Sequence, residues 1–213
     1  MKIPETIGLI PDGNRRWAKK HGVSLTEAYK RGIKKIAYLA KWCREVGIKR
    51  LVAWGFSTEN FFRERKEVEG LFRLFSEILE MMKKTDIKAR LFFRGDLDRF
   101  PFWLRHKLQE IERSVRGDGL EVWILLAYGG RQEILKACKE CRGDEKEFMK
   151  HLYFPYEPDL IIRTAEMRTS GFLPFQSAYS EWVFFKKLWP DFTKADFRRA
   201  LAEYARRERK FGR

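Results

Sequence analysis

Asp12 closes an apolar run, Gly13 permits a tight turn after it, and Asn14, Arg15 and Arg16 follow at what reads as a helix start. A carboxylate beside exposed backbone N–H groups and guanidinium forks suits an anion held next to a divalent cation such as Mg2+. The same residues also make an ordinary turn, with Asn14 as N-cap and both arginines solvated. A second polar segment, GFSTENFFRER, offers Ser57, Thr58, Asn60 and Arg63, with Phe61 and Phe62 between them. Polar groups there could fix a reacting head while the rings cover an apolar tail. Equally, Ser57 or Thr58 caps the following helix, with a glutamate completing a capping box. In a third segment, Arg163 and Arg168 stand either side of Glu166, and Ser170 follows. Two guanidinium forks and a hydroxyl make a diphosphate clamp. The competing reading is an idle surface salt bridge among the two arginines and Glu166.

These residues need a frame. Short apolar, β-rich runs alternate with longer segments of helical period, which predicts an α/β domain with a mostly parallel central sheet of about six strands flanked by helices. The expected strands are 6–10, 50–56, 88–93, 120–126, 160–162 and 182–185. The expected helices are 25–46, 66–83, 101–115, 132–141, 145–152 and 194–209. In open α/β sheets, ligands bind beyond the carboxyl ends of the strands. All three polar segments fall at such ends, as do Arg94-Gly95-Asp96 and AYGGR after the third and fourth strands. The stretch VEGLFRLFSEILEMMKK carries Val68, Leu71, Phe72, Phe75, Ile78, Leu79 and Met82 at helical spacing. That stripe reads as core, or as one wall of a long apolar cleft.

The chain has 213 residues, 44% of them hydrophobic, and no linker or repeat divides it, so a single domain over 1–213 is expected. Its 45 Lys and Arg against 30 Asp and Glu leave a formal charge of +15. That excess calls for an anionic partner: nucleic acid, an anionic membrane or a phosphorylated small molecule. No apolar run approaches the roughly 20 residues of a membrane span, and the first residues lack the pattern of a signal peptide, which predicts a cytoplasmic or membrane-peripheral protein. Three cysteines argue against a disulfide framework, and Cys138-x-x-Cys141 reads as helix surface rather than a metal or redox pair.

In order, IPDGNRRWAKKHG, FSTENFFR, YGGRQEI, PDLIIRTAEMR, SGFLPFQSAYSE, WPDF and RERKFG resemble the motif blocks of the cis-prenyltransferase (undecaprenyl diphosphate synthase-like) family, over nearly the whole chain. The resemblance implies a homodimeric α/β enzyme that adds isopentenyl diphosphate to an allylic diphosphate with each new double bond cis. It implies contact with a membrane surface as product leaves, and no nucleic-acid partner. By the same resemblance Asp12 is the catalytic carboxylate and works with Mg2+. Gly13, Asn14, Arg15, Arg16 and Trp17 match the block that holds the allylic diphosphate. Ser57 and Asn60 match the segment that assists the proton chemistry, Phe61 stands for a usual Trp, and Arg63 is retained. Arg163, Arg168 and Ser170 match the isopentenyl diphosphate clamp, and Glu181 the second acidic residue at the metal. No adjacent Asp pair occurs, so the DDxxD chemistry of trans-prenyl synthases is not available to this chain.

Several positions depart from the family pattern. Leu25 and Tyr29 stand where an Arg and a His usually face the allylic diphosphate, RTAE is one residue shorter than the usual block, and Lys210 replaces the Arg of the C-terminal Arg-x-Gly. With the allylic clamp weakened, binding leans on the apolar tail, which predicts a primer of fifteen carbons or more and modest extension. Two other classes remain open: a non-catalytic subunit of a heteromeric cis-prenyltransferase, which would have lost Asp12 and the Arg-rich segments, and a basic nucleic-acid-binding protein.

Overall fold

The computed structural model describes residues 2–83, 88–115 and 117–207. Six strands form one sheet: β1 (Thr6–Ile10), β2 (Arg50–Trp54), β3 (Arg90–Arg94), β4 (Glu121–Leu125), β5 (Leu160–Thr164) and β6 (Glu181–Phe185). Their order across the sheet is β3-β4-β2-β1-β5-β6, and every neighbouring pair is parallel. β1 and β5 are buried at all five positions, as strands must be when both faces of a parallel sheet are covered. The chain fills one side of β1 with β2, β3 and β4, then crosses to β5 and β6 on the other. β1 and β5 therefore flank the point where connections leave in opposite directions, and a crevice opens beyond their carboxyl ends.

Helices α1 (Asn14–His21), α2 (Leu25–Glu45), α3 (Arg65–Lys83), α4 (Phe102–Ser114), α5 (Gly130–Glu140), α6 (Glu145–Lys150) and α7 (Lys194–Arg206) surround the sheet. On one face Leu9, Leu51 and Phe93 pack with Leu39, Phe72 and Leu104 in the main core. The other face carries Val52, Trp123 and Ile161 beneath Tyr128, Phe154 and Phe172, which come from connecting segments rather than from a helix. Gly8 makes that cover possible, since a Cβ there would stand 3.0 Å from Phe172 Cε1. The segment carrying Ser170 is thus pinned directly on the central strand.

The six parallel strands match the expected class, with shifts at the ends. β2 stops at Trp54 because Gly55 and Phe56 turn to donate their N–H groups to the Leu125 carbonyl, at 2.9 and 3.1 Å. β5 runs two residues beyond its expected end, which puts Arg163 and Thr164 on the strand. Helix α1 is a separate element that the helical periods did not isolate: Gly22, at φ 65°, ends it, and Ser24 Oγ accepts the Glu27 N–H at 3.1 Å to start α2. Cys138 is exposed on α5 and Cys141 follows that helix, both as free thiols. No described helix is long and apolar enough to cross a membrane. Lys210 and Gly212 lie outside the described residues.

Candidate active site

The carboxyl ends of β1 and β5 bring the first and third polar segments together. Arg163, on β5 and only 3% exposed, donates from Nη2 to Asp12 Oδ2 at 3.2 Å and from Nη1 to Ser170 Oγ at 2.7 Å; Nη1 also reaches the Arg168 carbonyl. Burial pulls its pKa below the ordinary guanidinium value, and the bond to Asp12 opposes that shift. Its buried Nε has no hydrogen-bond partner among the described residues, so the clamp holds donor capacity in reserve. Thr164 Oγ1 donates to the Asp12 carbonyl at 2.8 Å, and the Trp189 N–H donates to the same oxygen at 3.0 Å. β5 and the segment at Trp189 therefore fix the backbone of Asp12 while its side chain stays about a third exposed.

α1 adds the next cations. Gly13 enters it at φ 111°, where a Cβ would stand 2.9 Å from Leu188 Cδ2. No side chain caps this helix and no acidic residue lies in its first turn, so none of its own side chains offsets the positive end, which follows directly on Asp12 and Gly13. Arg16 points back to Asp12 Oδ1 at 3.6 Å and to Glu166 Oε1 at 2.8 Å, and Glu166 Oε2 takes Arg168 Nη1 at 2.9 Å. Of the salt bridge weighed against a clamp, only the Glu166–Arg168 pair is found; the second guanidinium on Glu166 is that of Arg16, from another segment, while Arg163 bonds Asp12 and Ser170 instead. Two carboxylates (Asp12 and Glu166), three guanidinium groups and a hydroxyl meet at the switch point, a composition that can hold a diphosphate and a cation.

Arg15 and Arg63 form a second group. Glu67 Oε1 lies 3.1 Å from Arg63 Nη1 and 3.9 Å from Arg15 Nε, and Arg63 Nη1 donates to Tyr29 Oη at 2.8 Å. Burial raises the Tyr29 pKa and keeps its hydroxyl protonated. Ser57 N–H donates to Asn60 Oδ1 at 3.0 Å, so Asn60, and not a glutamate, closes the capping box here. Phe61 joins Phe56, Phe72, Phe75 and Phe100 in a cluster whose ring centroids lie 4.9–6.3 Å apart.

Three expected site residues lie elsewhere. Trp17 is buried, and its indole N–H donates to Asp191 Oδ1 at 2.8 Å rather than joining the charged cluster. Asn14 Nδ2 donates to the Pro11 carbonyl at 3.1 Å and its Oδ1 faces Gly32, so this amide packs α1 against α2. Glu181 opens β6 in register with Leu160, three residues below the level of Arg163, and accepts Arg207 Nη1 at 2.7 Å. Within one chain it does not meet Asp12, and no group of three or more acidic, His or Cys side chains that could hold a metal occurs among the described residues. Asp12 is the residue here that would hold a Mg2+ ion: its partly exposed Oδ1 meets Arg16 only beyond hydrogen-bond length, and a carboxylate oxygen is a donor such a hard cation accepts. Sequence reading missed Thr164 and the partnership of Tyr29 with Arg63. The four-residue spacing of Arg63 and Glu67 was a signal for that second cluster, although Arg63 stands in extended backbone just ahead of α3.

The model of the family described as putative undecaprenyl diphosphate synthase matches residues 10–212. An isoprenyl transferase of Thermotoga maritima is 43% identical over 100% of this chain and 98% of its own length. A tritrans,polycis-undecaprenyl-diphosphate synthase (geranylgeranyl-diphosphate specific) of Thermoplasma acidophilum is 38% identical over 99% and 89%. The crystal structure of lavandulyl diphosphate synthase from Lavandula x intermedia, in complex with dimethylallyl diphosphate, superposes with a TM-score of 0.90 at 32% identity, covering 99% of each chain. A probable undecaprenyl diphosphate synthase from Campylobacter jejuni superposes at 0.85 with 30% identity over 100% of each. With the fold, the matched length and these relatives in agreement, the chain belongs to the cis-prenyltransferase family and is a prenyl-transferring enzyme.

Proposed function

We propose that this enzyme condenses isopentenyl diphosphate with an allylic diphosphate of fifteen carbons or more to form a cis-polyprenyl diphosphate, with Mg2+ as cofactor. The observation that carries the reading is the meeting of Asp12, Arg16, Arg163, Arg168 and Ser170 at the switch point of the sheet. In the reaction the allylic C–O bond breaks, a C–C bond forms to the terminal carbon of isopentenyl diphosphate, and that unit loses a proton. Bound Mg2+ would neutralise the departing diphosphate. Arg16 and the positive end of α1 hold the allylic diphosphate, while Arg163, Arg168 and Ser170 hold that of the incoming unit. Fixed charges of this kind stabilise an anion as it forms without reorganising. Ser57 and Asn60 stand at the head of the Phe61 segment and assist proton removal. The sites function in a homodimer, and product leaves at a membrane surface.

Primer length follows from the departures at Leu25 and Tyr29. A charged hydrogen bond to diphosphate is worth roughly 1.5–3 kcal/mol, and two of the usual donors are replaced. Each buried methylene returns about 0.8 kcal/mol, so extra carbons along the aromatic cluster beside α3 offset the loss. Incubation with labelled isopentenyl diphosphate, Mg2+ and primers of five to twenty carbons tests this by mass analysis. The expected result is faster incorporation from fifteen carbons upwards, with Leu25→Arg plus Tyr29→His tightening short primers more than long ones. A wild-type preference for the five-carbon primer would contradict it.

A further inference from the structure

Glu166 has no role in the reaction as described, yet it is the joint of the charged cluster. One carboxylate oxygen takes Arg16 at 2.8 Å and the other takes Arg168 at 2.9 Å. Arg16 belongs to the segment after β1 and Arg168 to the segment after β5, so a single side chain spans the two halves of the crevice. Its direction is set locally. Ala165, at φ 69°, donates its N–H to the carbonyls of Phe185 at 2.7 Å and Lys187 at 3.0 Å, and this turn aims Glu166 back across β1. Arg16 is tied to the same turn through the Ala165 carbonyl at 3.4 Å. Both arginines remain about half exposed or more and use one guanidinium nitrogen each on Glu166, which leaves further donors for ligand.

Resting on the proposed assignment of the two diphosphate subsites, we propose that Glu166 is a positioning residue that couples them. A diphosphate on Arg168 fixes the near oxygen of Glu166, whose far oxygen then holds Arg16 ready for the second diphosphate. By linkage, each ligand raises the affinity of the other by the same factor. A carboxylate that merely occupied the anion site would act in the opposite sense, since its removal would tighten both ligands.

The test measures isopentenyl diphosphate binding by calorimetry with Mg2+ throughout, with and without the thio-analogue of a fifteen-carbon allylic diphosphate. Wild type should bind isopentenyl diphosphate on the order of 10-fold more tightly with the analogue present. Glu166→Gln, which keeps the shape but not the charge, should lower that ratio to about 1 while changing affinity for isopentenyl diphosphate alone by less than about 3-fold. Glu166→Asp, which keeps the charge, should retain part of the ratio. A merely structural role would weaken both ligands and leave the ratio intact, which overturns the proposal, as does tighter binding of both ligands to Glu166→Gln. A wild type that binds neither diphosphate overturns the substrate assignment itself.

Discussion

Asp12 does two jobs that its position separates. Its backbone carbonyl is locked by Thr164 and the Trp189 N–H, whereas its side chain is engaged, among the described residues, by Arg163 and, at 3.6 Å, by Arg16. Asp12→Asn leaves the backbone locks in place, so the variant should fold, with a melting temperature close to wild type, and lose turnover by about 10²-fold or more. Near-normal turnover at saturating Mg2+ would remove the carboxylate from the chemistry. The clamp arginines differ in burial, and their variants should differ with it. Arg168→Ala, at a side chain 66% exposed, should raise the KM for isopentenyl diphosphate with little loss of stability. Arg163→Ala should raise the same KM and also destabilise the fold by roughly 3 kcal/mol, because it leaves Asp12, Ser170 and the Arg168 carbonyl without their donor. Equal weakening of both substrates in the Arg168 variant would contradict the assignment of this segment.

Between elements, the clamp segment is carried by a buried polar network centred on Glu133 of α5. Glu133 Oε2 accepts the Tyr128 hydroxyl at 2.7 Å and Oε1 the Tyr153 N–H at 2.7 Å, while Tyr128 Oη in turn accepts the Leu173 N–H at 3.0 Å. Burial raises the Glu133 pKa above its unfolded value. The folded chain therefore holds this proton more tightly than the unfolded chain, so the group's contribution to stability is complete below the unfolded value near 4.3 and declines as pH rises through the raised folded one. Glu133→Gln should flatten that part of the stability–pH curve, measured by denaturant melts between pH 4 and 8; an unchanged curve would show that Glu133 does not titrate there. The ends of β1 and β2 were legible because apolar runs stop ahead of Asp12 and Ser57, whereas β5 continues past the end of its apolar run, through Arg163 to Thr164. The sequence did not make this network legible, because Glu133 in YGGRQEI looks like one more helix-surface charge until Tyr128 and Gln176 are seen to enclose it. Trp17 was misplaced for a similar reason: its spacing puts it beside Arg16, but a helix turns successive side chains about 100° apart, and the indole ends on Asp191.

At the level of the whole molecule, the topology explains how segments far apart in sequence meet at one site. Parallel strands place every carboxyl end on the same edge, and the reversal of winding at β1 and β5 opens the crevice there, so segments some 150 residues apart in sequence meet at 3.2 Å between Arg163 and Asp12. The net charge of +15 indicated an anionic ligand but could not say where it binds; the fold concentrates cations at that edge. The element order and sheet class were therefore legible from periodicity, whereas the pairing of Arg16 with Glu166 and of Arg63 with Tyr29 depended on how α1 and α2 cross the strand ends. The most direct measurement is the stereochemistry of the product. Wild-type enzyme given ¹³C-labelled isopentenyl diphosphate, Mg2+ and a fifteen-carbon allylic primer should yield a longer diphosphate whose new double bond is cis by NMR, with formation slowed by about 10²-fold or more in Asp12→Asn. A trans double bond, or no labelled carbon joined to the primer, would contradict a cis-prenyl transfer built on Asp12 and the arginines around it.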